Sequence, residues 1–132
     1  MTDHATTTLT EDQCWEYLAK QPIGRLATAA VGEPEIFPLN YAVSGRNIYV
    51  RTVPGTKLVE LVVNAKVAFE IDQWSSDVAY SVVVKGRAEI VDSDAEIAEA
   101  EATGLVTYGD DAERDVWVRI TPSEVTGRRL VR

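Results

Sequence analysis

The chain of 132 residues holds one cysteine, one histidine and one methionine. With Cys14 alone, neither an intrachain disulfide nor a cysteine cage for a metal can form. The only histidine, His4, lies in a polar, Thr-rich start (Met1 to Thr8). Histidine metal sites and Ser-His or Cys-His nucleophile pairs are therefore not expected, and no metal is. Long apolar runs are also missing. No stretch approaches a membrane span, and the start has no apolar core of a signal peptide. Positive charge is scarce, with 13 Lys and Arg against 21 Asp and Glu, a net charge of −8. That field repels a phosphate backbone, so nucleic acid is not expected as a partner. These absences describe a cytoplasmic protein, with Cys14 as a buried helix residue.

What is present is an ordinary globular composition, 45% hydrophobic and 26% charged, in a chain the size of one domain. Residues 1–9 read as a disordered tail and 10–132 as a single domain. Thr10 and Gln13 fit a capping box, and Leu9 with Cys14 fits the hydrophobic staple of a first helix. Gln21-Pro22 ends it. Strands follow at about Ile23–Ala30, Glu35–Val43 and Asn47–Val50, separated by Gly- and Pro-containing turns. Val67, Phe69 and Ile71 alternate with polar residues in a fourth strand, Val67 to Asp72. A polar loop with an exposed Trp74 leads to the longest strand, Tyr80 to Val91. Its Val82-Val83-Val84 run suggests burial on both faces. Ser93 and Glu96 fit a second capping box, opening an acidic helix from Asp94 to about Thr103. An acidic loop (Tyr108 to Asp115), a strand at Trp117–Ile120 and an edge strand at Glu124–Leu130 complete the chain. Many strands and small helices predict a mainly β protein with an antiparallel barrel.

The stretch Arg51-Thr-Val-Pro-Gly-Thr-Lys57 stands out. It links a strand to a short helix pattern (Leu58, Leu61, Val62). Two cations and two hydroxyls flank that junction in an otherwise acidic chain. A phosphate grip and an ordinary solvated loop both fit these residues.

Gly24-Arg25-Leu26-Ala27, then Pro34 to Tyr41, then Ile48 to Lys57, then Ser81 to Glu89 together carry a resemblance. In that order and spacing the chain resembles the pyridoxamine 5′-phosphate oxidase-like family from about Thr10 to Arg129. The resemblance implies a split antiparallel β-barrel, a homodimer and an FMN cofactor at the dimer interface. By this resemblance Pro38, Leu39, Asn40 and Tyr41 run along the flavin ring. Arg51 and Thr52 meet the ribityl-phosphate arm, and Thr56 and Lys57 form the phosphate grip. Ser81 stands where the oxidase has a glutamine near the cofactor, and Arg128 where it has a tryptophan.

Departures from the family pattern limit the activity. Tyr41 replaces a lysine, and the helix from Asp94 carries Glu96, Glu99 and Glu101 with no Lys or Arg. That helix would repel a phosphorylated vitamer. The expected function is an FMN-dependent oxidoreductase acting on a small uncharged acceptor, with a nicotinamide as possible donor, and not a pyridoxamine phosphate oxidase. Two alternatives remain open. One is a deazaflavin (F420) reductase, with Arg25, Arg128 and Arg129 around a longer acidic tail. The other is a non-catalytic flavin- or haem-binding protein. No side chain is assigned as catalytic.

Overall fold

A computed structural model describes residues 5–63, 65–105 and 116–132. The expected acidic loop, Tyr108 to Asp115, lies outside the described residues. Among the described residues, eight strands and three α-helices follow one another in the order β1 (Ala5–Thr8), α1 (Glu11–Leu18), β2 (Ile23–Thr28), β3 (Glu35–Asn40), β4 (Ala42–Ser44), β5 (Asn47–Thr52), α2 (Lys57–Val62), β6 (Ala65–Trp74), β7 (Val78–Ile90), α3 (Asp94–Glu101) and β8 (Val116–Val131). All described pairings are antiparallel, in the order β3-β2-β6-β7-β8-β5-β4, with β1 added on β8. The sheet curls until β3 approaches β5 without a ladder between them. This is the expected split barrel.

Alternation sets the two faces. Leu26, Phe69, Ile71, Val82 and Val84 are fully buried and point inward, where Cys14 and Leu18 of α1 and Leu58 and Val62 of α2 join them. Gly24 and Gly127 leave room for that packing. A Cβ on Gly24 would lie 2.2 Å from the Phe69 ring, and one on Gly127 2.7 Å from Cys14 Sγ and 2.9 Å from Leu9 Cδ1. The second core is small. Tyr49, Val91, Ala100 and Trp117 are buried where α3 covers the outer side of β5 and β8. Among the described residues, the remaining outer face, across β2, β6, β7 and the far half of β8, carries no helix.

Local chemistry explains where the elements depart from expectation. The start of the chain is no loose tail at residues 5–8. Ala5–Thr8 pair with Val131–Arg128, and the Leu9 N–H donates to Gly127 O at 2.9 Å. The Thr-rich segment has high strand propensity and is polar because all four residues are exposed. The two last expected strands are one strand of 16 residues. Pro122 does not break it because it sits at a register shift opposite Lys85/Gly86, where a bulge needs no ladder donor. With β1 and β7 on either side, Arg128–Leu130 is interior and not an edge, whereas Glu124–Gly127 is paired with β7 alone among the described ladders. The Thr10–Gln13 capping box forms in full. Of the second box only the Ser93 half forms, since the Glu96 carboxylate turns instead to Arg119 and Tyr49. Val83 is half-buried on the outer face, so the triple-valine run is sealed on one side only. Trp15 and Trp117 are core residues, whereas Trp74 is 70% exposed. Among the described residues no helix is long and apolar enough to cross a membrane.

Candidate functional site

The β5–α2 junction gathers three of the expected residues. Thr56 caps α2, its Oγ accepting from the Val59 N–H at 3.4 Å and donating to Val53 O at 2.9 Å. Thr52 Oγ lies 3.5 Å from Thr56 Oγ. Lys57 opens the helix and forms an ion pair with Glu35 at the start of β3. The helix has only six residues, so little macrodipole accumulates there. Anion affinity at this junction rests on the ammonium and the two hydroxyls. Lys57 already holds an oxyanion, the Glu35 carboxylate, in the manner in which it would hold a phosphate. Sequence reasoning missed Glu35. Only the register Thr28↔Glu35 across the β2–β3 turn brings it there.

β3 forms one wall of the opening. It is the last strand of the sheet on its side, so its outer backbone edge has no ladder partner among the described residues. Such an edge offers N–H and C=O groups to a polar ring. Leu39 packs inward, Pro38 is exposed on the opposite face, and Asn40 donates from Nδ2 to Pro22 O at 3.2 Å. Tyr41 is buried in the core. Its hydroxyl donates to Leu18 O at 2.6 Å, and its ring meets Phe69 edge-on. Burial drives the Tyr41 phenol well above the ordinary tyrosine range. It is thus a structural donor at the end of α1.

The other expected residues lie elsewhere. Arg51 alternates with Thr52 and turns to the α3 side, where its guanidinium stacks 5.0 Å from the Trp117 ring centre and donates to Leu105 O at 3.3 Å. Ser81 and Arg128 are direct cross-strand neighbours on the outer face, in one row with Asp72 and Thr8. Ser81 sits three strands from Pro38 and Arg128 four, roughly 14 and 19 Å across the sheet. Between them Arg25 is held by two carboxylates, Nε to Glu70 at 2.7 Å and Nη2 to Asp72 at 2.6 Å. Burial raises the Glu70 pKa in spite of Arg25.

None of these expected residues lines a cleft of about 1040 Å³ on the outer face. Ala27, Ala68 and Gly86 lie along it, with Pro34 and Pro122 at its ends and Lys66, Lys85 and Arg87 among its charged residues. The sequence signal for it was the Lys85-Gly86-Arg87 run, which reads as an ordinary exposed strand until the register sets Lys66 opposite Arg87.

The model for the family described as pyridoxamine 5′-phosphate oxidase matches residues 10–129. The chain belongs to that family. It is 36% identical to the structure of a Mycobacterium smegmatis protein described as FAD binding, with a TM-score of 0.85 over 93% of this chain and 98% of that one. A FAD-binding protein from Mesorhizobium loti is 30% identical, with a TM-score of 0.78 over 94% of this chain and 97% of that one. An uncharacterized Mycobacterium tuberculosis protein is 40% identical over 88 residues, 67% of this chain and 79% of the relative. The family assignment and the barrel therefore stand together, and flavin binding is a property of two neighbours above 25% identity.

Proposed function

We propose that this chain binds a flavin through its FMN moiety and works as a flavin-dependent oxidoreductase of the cytoplasm. The observation that carries the reading is the free edge of β3 beside the Thr52, Thr56 and Lys57 cluster, where a cation already grips an oxyanion. A flavin phosphate would take the place of the Glu35 carboxylate on Lys57, forming a charge-assisted bond. Backbone groups of Pro38 to Tyr41 would meet the ring edge. The bound flavin would supply hydride and electron transfer; the chain orients it and keeps water from one face. Ser81 and Arg128 complete the site from the second copy in a homodimer. The two relatives described as FAD binding support a flavin. The deazaflavin alternative needs more positive charge near the phosphate mouth. Arg25, one of its three candidates, is already neutralised by Glu70 and Asp72.

Pyridoxamine phosphate is a poor substrate for this reading. α3 has no basic residue, and the buried Tyr41 stands in place of a lysine. The acceptor is a small uncharged molecule, with a nicotinamide as electron donor. The test is the mass of the bound cofactor with its visible spectrum, followed by turnover assays. A flavin mass, and no oxygen-linked turnover of pyridoxamine phosphate, is the expected result. A deazaflavin or haem spectrum would overturn the cofactor, and ordinary enzymatic turnover of pyridoxamine phosphate would overturn the substrate reading.

A further inference from the structure

The end of the barrel beside α1 carries amides whose hydrogen bonds are half used. Gln73 on β6, Tyr80 on β7 and Arg129 on β8 are successive cross-strand partners, so the three share one face. The C-terminal end of α1 and the residues after it bring Tyr17, Lys20 and Gln21 to that row. The Tyr17 and Tyr80 rings stack with their centres 4.0 Å apart. Gln21 donates from Nε2 to Gln73 Oε1 at 2.8 Å and to the Tyr80 hydroxyl, which itself donates to Gln73 Oε1 at 3.1 Å. Burial raises the Tyr80 phenol, so it stays a neutral donor. This closed triangle fixes both amides. It uses the Gln21 protons and the Gln73 oxygen, and leaves the other half of each amide over. Gln21 Oε1 and Gln73 Nε2 have no hydrogen-bond partner among the described residues. One acceptor and one donor are therefore held in place on neighbouring side chains.

Two cations flank these amides. The Lys20 ammonium lies 5.8 Å from the Tyr17 ring centre, and Arg129 is half-buried beside Tyr80. Among the described residues neither holds a carboxylate, in contrast to Arg25, Arg46, Lys57 and Arg119. In a chain of net charge −8, that is not for want of acids. The row also borders the strand expected to run along a flavin ring. Asn40 donates to the carbonyl of Pro22, the residue after Gln21, and Tyr80 directly precedes Ser81. A cap that only closed the barrel would need the ring stack and the triangle. It would need neither the two cations nor the open halves of the amides.

We infer that this end of the barrel binds a nicotinamide dinucleotide, its carboxamide on Gln21 Oε1 and Gln73 Nε2 and its diphosphate between Lys20 and Arg129. The proposal rests on the flavin reading above and extends it by placing the electron donor on named residues. A primary carboxamide presents an N–H donor beside a C=O acceptor, the complement of what the two glutamines have left. It is carried on an aromatic ring, for which the tyrosine pair is a wall. The diphosphate of the same molecule is an anion that suits a lysine and an arginine free of carboxylates. A small uncharged acceptor has no use for those cations, and the flavin phosphate is provided for at Lys57.

Calorimetric titration of the chain in the presence of FMN, with oxidised NAD and with ADP-ribose, tests this by binding alone. ADP-ribose keeps the diphosphate and lacks the nicotinamide. The expected result is about tenfold tighter binding of NAD, since a site built to hydrogen-bond a group discriminates against the analogue without it. Gln73→Glu keeps an oxygen for Gln21 and Tyr80 but removes the free N–H groups, so that preference should disappear. Arg129→Ala should weaken both ligands about fivefold and leave the preference intact. FMN affinity, followed by flavin fluorescence, should be unchanged in both variants and reports that they are folded. Equal affinity of the native chain for NAD and ADP-ribose overturns the site, and this comparison needs no variant. So does a preference that survives in Gln73→Glu, or an Arg129→Ala variant that binds both ligands as the native chain does. A native chain that binds FMN but not NAD overturns the site and leaves the flavin reading standing. Binding of neither FMN nor NAD by the native chain overturns both.

Discussion

Lys57 illustrates how a residue can match a family position and still be engaged. In this structure it holds Glu35, so a ligand phosphate competes with a carboxylate of the same chain. The two substitutions therefore have opposite signs. Lys57→Ala should weaken flavin binding by about 1–2 kcal/mol, the lower part of the range for a charge-assisted bond because the lysine is 62% exposed. Glu35→Gln should tighten binding a few-fold by removing the competitor. Fluorescence titration of both variants checks this; an unchanged affinity in Lys57→Ala would sink the grip. Arg51 offers no such clean test. Its guanidinium packs on Trp117, so Arg51→Ala disturbs the second core as well as any ligand. Tyr41 shows the limit of position matching in another way. Its identity was legible, but its burial was not, because the phenol is claimed by a helix-end carbonyl 23 residues earlier.

α3 is the element whose acidity argues against a phosphate substrate, and it is tied down by one of those same acids. Arg119 Nη1 donates to both Glu96 oxygens, at 2.5 and 2.7 Å, and the Tyr49 hydroxyl donates to Oε2 at 2.9 Å. The Arg119 hydrogen bonds hold the Glu96 carboxyl below its ordinary range. A depressed carboxylate contributes stability above its unfolded pKa, about 4.3, and loses it as pH falls through the lower folded value. Glu96→Gln should therefore cost about 2 kcal/mol at pH 7 and progressively less as pH falls below the unfolded value of about 4.3. Denaturant melts of both proteins across that range check it; a pH-independent difference would show that the tether is not ionic. The same element marks what sequence could deliver. Period-two alternation, caps and turns located α1, α3 and most strands, since those signals are local. The joining of the last two strands through Pro122 and the pairing of Ala5–Thr8 were not legible. Both depend on a partner strand distant in sequence, and nothing in the segment itself names that partner. The cleft was hidden for the same reason, as it exists only once β6 and β7 are in register.

At the scale of the whole molecule, the two halves of the expected site do not meet within one chain. The Lys57 grip and the edge of β3 lie at the split of the barrel, whereas Ser81 and Arg128 lie on the outer face of β7 and β8. That outer face also exposes Ile36, Ile23, Trp74 and Leu130, at 64, 49, 70 and 39%. By alternation all four point to the same side of the sheet. Large apolar side chains spread over one uncovered sheet face mark an association surface. A second copy laid on that face would bring its own Ser81–Arg128 row toward the first copy's β3, and the reverse by symmetry. Two polar groups at the centre of the face are already satisfied within the chain: Arg25 by Glu70 and Asp72, and the Trp74 indole by Asp72 at 3.2 Å. Covering them therefore leaves no orphaned charge, which is the usual obstacle to burying a mixed face. We therefore expect a dimer by light scattering at micromolar concentration. Trp74→Glu together with Ile36→Glu should shift it to monomer, because each introduces an unpaired carboxylate at a surface that must lose its water. Neither residue belongs to the Lys57 grip, yet the monomer should bind flavin at least tenfold more weakly. A native monomer would refute the association, and a monomeric variant with undiminished flavin affinity would show that one chain builds the whole site.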